Sequence, residues 1–488
     1  MIKRGVVGYL LVLLGGLIVS VLPESTPVAG LPLVSDLRGS TAGRMVGLTV
    51  VVAGLGLAGA AWLELVRLTR GDGTTTADER LAMVRRAAAT WSLPLLVAPA
   101  MFSRDGWSYA AQGEMVRVGI SPYEYGPGWL GGELVEAVDP MWMWTLTPYG
   151  PIPLLWGALA GGVTGDPWLL VLAHRLLALA GLAMLAYAVP RMARWSGHDP
   201  ARASALVLAS PFLLAHGVAG LHNDVLMVGV MAVAVVVAVE HHWLAGAVAG
   251  GLAAAVKLPG GLACLAVVLL SLPVTATVGD RLRRGLAVAA ASIGTLGGVG
   301  LLSGLGVGWV HALDVPGVVR TPLSLTTQLG RLLAGLQDLT GIAPIGDPVS
   351  LVRDGGTLGA LGVAVWLGLR APTGVPGAAV RALAHASLAV VVLGSVVHHW
   401  YALWTVPFLA AIHLGPRATA ALVAFCGLAG LVAPLDSSLN GAMAEIGLTV
   451  ALVAGVAIAQ STAHRRALDR QGPAQAVRRP TEDLADAA

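Results

Sequence analysis

Charge is scarce in this chain: Asp, Glu, Lys and Arg make up 12% of its 488 residues, against 56% apolar ones, and the mean hydropathy is +0.77. That balance excludes an ordinary water-soluble globular domain, in which about a quarter of the residues are charged. Cysteine is nearly absent. Cys264 and Cys426 lie in apolar runs with no CxxC or Cys/His spacing, so neither a disulfide framework nor a zinc site can be read from them. No repeat of fixed period is visible, and no cluster of metal ligands has useful spacing. The first apolar run follows Met-Ile-Lys-Arg without a small-residue cleavage site, and more runs follow. It reads as an anchor and not as a removed signal peptide.

What the chain does have is long apolar stretches. At 1.5 Å per residue, runs such as 46–66 and 443–461 are long enough to cross a hydrocarbon core of about 30 Å. Reading every such run predicts an all-α polytopic membrane protein of about fourteen spans, near 5–22, 46–66, 86–102, 167–190, 201–219, 223–240, 243–257, 259–274, 285–305, 356–370, 381–397, 401–415, 417–434 and 443–461. The 64 glycines suit closely packed membrane helices. With both termini in the cytoplasm, the arginine groups at 67–86, 191–202 and 281–284 and those of the tail all fall inside, as the positive-inside rule requires. Counting 151–163 as a further span would reverse that pattern downstream, so this run reads as a short re-entrant or surface helix. Two long loops, 102–150 and 306–355, then face outside the plasma membrane. The span-bearing domain covers 1–462, and 463–488 is a polar, disordered cytoplasmic tail. In the first loop, apolar or aromatic residues at 107, 111, 115 and 118 recur at helical spacing, predicting an amphipathic helix lying flat on the membrane surface.

Ionisable residues at membrane depth are costly and are functional candidates. Under this topology they converge on the outer face: Asp105 after the third span, His222-Asn223-Asp224 opening the sixth, Lys257 between the seventh and eighth, and His398, His399 and Tyr401 between the eleventh and twelfth. Each has a plainer reading. Asp105 and the 222–224 triplet could cap helices, Lys257 could snorkel to the headgroups, and the 398–401 segment could be an interfacial aromatic anchor. Against these, Asp105 stands where a general base would meet both lipid and water. The turn at Lys257-Leu258-Pro259-Gly260-Gly261 suits a cation meeting phosphate. Arg175, alone within the fourth span, reads as structural, paired to a neighbouring helix. Arg320 and Gln328, with Thr326 and Thr327, could contact phosphate or sugar from the second loop. Trp107, Tyr109 and Tyr149 could stack on sugar rings.

The strings SRDGWSYAAQGEMVRVGISPYEYGPG (103–128) and VDPMWMWTLTPYGPIPLLW (138–156), followed by GLHNDVLMVGVMAV, AVKLPGG, VGWVHAL and HHWYALWTVPFL, resemble the polyprenol-phosphomannose-dependent α-1,6-mannosyltransferases of actinobacteria. These enzymes build the mannan core of lipomannan and lipoarabinomannan. The resemblance runs in order from about 100 to 410. It implies a bundle of the C-type glycosyltransferase (GT-C) superfamily with an essential outer-loop Asp, which Asp105 matches. The chain departs from the family pattern where Gly106-Trp107 follow SRD and where His399 precedes Trp400-Tyr401.

The resemblance further implies inverting transfer of mannose from polyprenyl phosphomannose to an α-1,6-mannan acceptor on the outer face. Asp105 would act as base, and Lys257, with His222, Asn223, Asp224, His399 and Tyr401, would meet the donor. The partners are thus a lipid-linked sugar donor, a lipid-anchored mannan acceptor and the membrane, with no nucleic acid. No cofactor or metal is expected, because a lipid phosphate already leaves well. Two rival readings stand beside it. One is a GT-C enzyme that uses another polyprenyl-phosphate sugar. The other is a lipid-linked sugar transporter or flippase, which should hold its ionisable residues near the midplane of broken helices.

Overall fold

The computed structural model describes residues 1–70, 75–315, 319–341, 346–435 and Gly447. The expected span at 443–461, Gly447 apart, and the expected tail at 463–488 lie outside them. Among the described residues the chain is helical throughout, with no strand. Among these residues five helices are long and apolar enough to cross a membrane: Ile2–Val19, Thr41–Leu68, Pro167–Trp195, Val278–Leu302 and Pro376–Leu393. A sixth span exists if Leu213–Ala219 and Asp224–Glu240, bent by 108° at their junction, are taken as one. The protein is therefore a membrane protein, and its described residues hold fewer full-length spans than the apolar runs within them suggested.

Proline and glycine account for most of the difference. The expected span at 86–102 is the end of helix Ala77–Ser92, and Pro94 then turns the chain into the 3-10 segment Leu93–Val97. Pro lacks the N–H that an α-helix needs and clashes with the preceding turn. The run 201–219 is likewise divided into helix Pro200–Val207 and a π-helical turn at Leu213–Ala219, with Pro211 between them. The runs 243–257 and 259–274 become the short helices Trp243–Val256 and Ala263–Leu270 around the 3-10 turn Leu258–Leu262. The expected span 401–415 is a 3-10 turn, His399–Trp404, followed by the five-residue helix Val406–Ala410.

The remaining helices pack through small residues. Helix Ile2–Val19 meets Thr41–Leu68 so closely that a Cβ on Gly8 would lie 2.8 Å from Gly54 O. Backbone approach of this kind is the usual basis of helix association in lipid, where apolar side chains gain nothing by leaving the bilayer.

Helix Asp105–Arg117 forms where the sequence places it, but it does not lie on a surface. All residues from Asp105 to Met115 are buried, because Gly113 lets the helix dock on Gly157 of helix Pro151–Gly161, where an added Cβ would come within 2.4 Å of the Gly157 Cα. The amphipathic surface helix is thus corrected to one enclosed by protein. Of the apolar residues at helical spacing, Trp107 and Ala111 pack with Ala100, Leu170, Val171 and Leu221. Helix Pro151–Gly161 has only 11 residues, too short at 1.5 Å each to cross a bilayer.

Arg175 has the structural role expected of it. Buried in helix Pro167–Trp195, its guanidinium donates to the carbonyls of Val218 (3.2 Å), Leu96 (3.1 Å), Pro99 (2.9 Å) and Ala98. It thereby ties the irregular 96–99 segment to the π-helical turn. Arg175→Leu should strand those acceptors and destabilise the protein by about 3 kcal/mol. Thermal unfolding in detergent measures this, and an unchanged midpoint would refute the role.

Candidate active site

Two segments with strained backbone bring the site together. The non-glycine residues with positive φ among the described residues are Phe102 (62°) and Leu221 (59°). They immediately precede Ser103-Arg104-Asp105 and His222-Asn223-Asp224. A left-handed backbone at a bulky residue costs about 1–3 kcal/mol and persists only where its surroundings impose it. Here Met101 N–H donates to Ala219 O at 3.1 Å, stapling one segment to the other.

Asp105 opens helix Asp105–Arg117, and Tyr109 follows one turn later on the same face. The Tyr109 hydroxyl donates to Asp105 Oδ2 at 3.2 Å and lies 2.9 Å from the Tyr149 hydroxyl, itself 3.4 Å from the same Oδ2. His222 Nδ1 approaches Oδ2 at 3.3 Å. Burial by itself raises the Asp105 carboxyl, but His222, then His398 and Lys257, overcome this and hold it below the usual carboxylate range. The group rests ionised. Burial pushes the Tyr109 and Tyr149 hydroxyls well above their ordinary range, so both keep their protons.

Tyr149 joins this carboxylate to a second cluster. Gly150 N–H donates to Val256 O at 3.0 Å, and a Cβ on Gly150 would come within 2.2 Å of Ala255 O, so only glycine permits the approach. It brings the Tyr149 ring to 5.2 Å from Lys257 Nζ. Lys257 is 4% exposed and donates to Asp224 Oδ1 at 2.9 Å, with the Tyr401 and Trp404 rings at 4.5 and 5.3 Å. Trp404 Nε1 also donates to Asp224 Oδ1, at 2.6 Å. His222 stacks on Trp400 with 3.8 Å between ring centres, and His398 stacks on Trp400 at 4.5 Å. Burial pushes the His398 imidazole down to about 4, so it is neutral at pH 7. Several buried polar atoms here have no partner: His222 Nε2, both side-chain polar atoms of Asn223, Asp224 Oδ2, His398 Nε2 and Trp400 Nε1. Buried polar groups are rarely left so, and a ligand carrying hydroxyl or phosphate oxygens would satisfy them. Among the described residues no three His, Cys, Asp or Glu side chains are grouped as a metal site.

The residues match the family model described as "Alpha-(1->6)-mannopyranosyltransferase, N-terminal domain" over 2–273 and the "MptB C-terminal domain" over 322–462. The chain belongs to the alpha-(1->6)-mannopyranosyltransferase family. As a member of that family it is a glycosyltransferase. It is 29% identical to a probable alpha-(1->6)-mannopyranosyltransferase of Mycolicibacterium smegmatis, covering 90% of this chain and 84% of that one. Identity to alpha-(1->6)-mannopyranosyltransferase A of Mycobacterium tuberculosis is also 29%, covering 86% and 81%. For alpha-(1->6)-mannopyranosyltransferase A of Corynebacterium glutamicum it is 34%, covering 44% and 45%.

In this family member the structure gathers Asp105, Tyr109, Tyr149, His222, Asn223, Asp224, Lys257 and Tyr401. It also corrects several expectations. Lys257 is not a free cation snorkelling outward but an internal one paired with Asp224. Neither Asp105 nor Asn223 uses its side chain as a cap: residue 104 holds the capping position of the first helix, and Asn223 makes no cap bond. Trp107 faces the core, its Nε1 donating to Val21 O at 3.1 Å, and so offers no face to a sugar. His399 turns away to stack on His216 at 6.1 Å, and its neighbour His398 faces the cluster instead. Exposed Arg320 pairs with Asp347 at 3.7 Å, and half-buried Gln328 donates to Pro322 O. Thr326 and Thr327 hydroxyls hold the Gly394 and Ser395 carbonyls, positioning the chain that leads into His398. Trp400, which the sequence offered only as part of an aromatic anchor, and Trp404, which it did not single out, also line the cluster. Both lie in the 3-10 turn His399–Trp404, whose three-residue period gives no i, i+4 signal, and only the packing sets Trp400 against His222 and Trp404 against Asp224.

Proposed function

We propose that this glycosyltransferase transfers mannose from polyprenyl phosphomannose, with inversion, to an α-1,6-mannan acceptor of the lipomannan and lipoarabinomannan core, at the outer face of the plasma membrane. One observation carries the reading: an ionised carboxylate and a buried ammonium share Tyr149 as a common neighbour. Asp105 takes the proton of the acceptor hydroxyl as its oxygen bonds to the sugar C1. The C1–O bond to phosphate breaks with its electron pair, leaving a polyprenyl phosphate monoester. An ammonium donates up to three hydrogen bonds. Lys257 spends one on Asp224 and has others for the leaving phosphate as its charge grows. Since the leaving phosphate is stabilised in this way, the displacement needs no metal. The β-linked donor and α-linked product require a single inversion, and hence one base. His222, Asn223 and His398, with unpartnered polar atoms, supply contacts for sugar hydroxyls.

Membranes bearing the protein, given labelled polyprenyl phosphomannose and a short α-1,6-mannoside, should extend the mannoside by an α-1,6-linked residue. Transport of the labelled lipid across vesicles without transfer would overturn the reading in favour of a flippase. The outer-face assignment has its own check. Glu133 is exposed in the 102–150 loop, whereas Gly132 has a φ of 71° and tolerates a side chain poorly. In a background lacking Cys264 and Cys426, Glu133→Cys should react with an impermeant maleimide in intact cells. Labelling only after lysis would place this loop, and the site, on the cytoplasmic side.

A further inference from the structure

We propose that Tyr109 and Tyr149 are positioning residues that hold Asp105 by one carboxylate oxygen, Oδ2, and present the other, Oδ1, to the acceptor hydroxyl. The inference rests on the reading of Asp105 as the base and deepens it. Two tyrosine hydroxyls donate to Oδ2, beside His222 Nδ1, which approaches it at 3.3 Å without completing a hydrogen bond, and Oδ1 accepts no hydrogen bond from any of them. A carboxylate turns readily about its last torsion, which has broad, two-fold preferences. Without such a grip its two oxygens would exchange places and the basic lone pair would not stay aimed.

The tyrosines are themselves held. The Tyr149 carbonyl accepts from the Tyr123 hydroxyl at 3.0 Å, and the next peptide is clamped to Val256. Tyr109 is set by helical spacing from Asp105 itself. Their rings have no face left for a sugar. The two rings meet edge to face at 5.0 Å, the Tyr109 ring also packs 5.7 Å from His174, and the Tyr149 ring lies beside Lys257. Exposures of 2% and 6% leave the hydroxyls as the functional part, in place of the stacking surface that the sequence suggested.

Tyrosine-to-phenylalanine substitution separates these roles, because the ring stays and only the hydroxyl goes. Purified Tyr109→Phe and Tyr149→Phe, matched to the parent in melting temperature, should each lose about tenfold in kcat, and the double variant about a hundredfold. KM for donor and acceptor should stay within about twofold of the parent. Removing donors from a carboxylate raises its pKa, so the acid limb of the kcat profile should move to higher pH. Phe variants equal to the parent, with Tyr→Leu variants raising KM, would overturn the inference and restore sugar stacking. A loss of kcat with an unmoved acid limb would also overturn it, leaving a packing role. Asp105→Asn, assayed alongside, keeps the two readings apart: full activity there sinks the base itself, whatever the tyrosine variants do.

Discussion

Asp105→Asn should reduce transfer by about 10³-fold while leaving folding and donor binding close to the parent. A positioned general base contributes about 10²–10⁴-fold, and this side chain is the carboxylate that two tyrosine hydroxyls grip by a single oxygen. Asparagine is nearly isosteric and its amide oxygen can still accept from Tyr109 and Tyr149, so the tyrosine pair need not collapse. The measurement is single-turnover transfer with saturating labelled donor, beside donor binding to the same purified variant. Retention of a tenth or more of the parental rate would remove Asp105 from the chemistry and return it to a role in holding the 102–105 segment.

Lys257→Met should have two separable effects. The first is on stability: removing the ammonium leaves the Asp224 carboxylate buried, with Trp404 Nε1 as its remaining donor. Breaking a buried pair from one side costs about 3–5 kcal/mol. The second is on donor handling, because a phosphate that meets Lys257 would lose its cation. The double variant Lys257→Met/Asp224→Asn distinguishes them. With both charges gone, most of the stability should return, since a neutral buried pair has little desolvation penalty. Donor binding and turnover should remain at least tenfold weaker. If the double variant recovers activity together with stability, Lys257 is a strut for Asp224 and the phosphate contact is lost. Lys257→Arg should fall between the two, because the charge survives while guanidinium geometry replaces a compact ammonium inside a cage of three rings.

Membrane residence and several of the buried polar residues that the fold gathers were legible in the sequence for a simple reason. Apolar run length and the cost of burying a charge in lipid are properties of the chain and its solvent, independent of tertiary contacts. The sequence therefore suffices to group Asp105, the 222–224 triplet, Lys257 and Tyr401. Which side chains touch which was not legible. Nothing local distinguishes His398 from His399, and only the 3-10 turn His399–Trp404, which begins between them, sends one toward Trp400 and His222 and the other toward His216. The span count failed where an apolar run of sufficient length contained Pro94, Pro211 or the Pro259-Gly260-Gly261 turn, since hydropathy does not register a missing N–H.

By itself, then, the sequence determined the solvent of this protein, its helical class and the set of polar residues too costly to be idle. Tertiary structure alone decided that helix Asp105–Arg117 is enclosed and not laid on a surface, because two glycines, Gly113 and Gly157, allow a backbone approach that no periodicity reveals. It also decided that Lys257 faces Asp224, because 33 residues separate the partners and only the packing of helix Trp243–Val256 back along Asp224–Glu240 brings the end of one beside the start of the other. Hydrophobic patterning acts over neighbouring residues, whereas pairing of buried charges depends on where distant segments close.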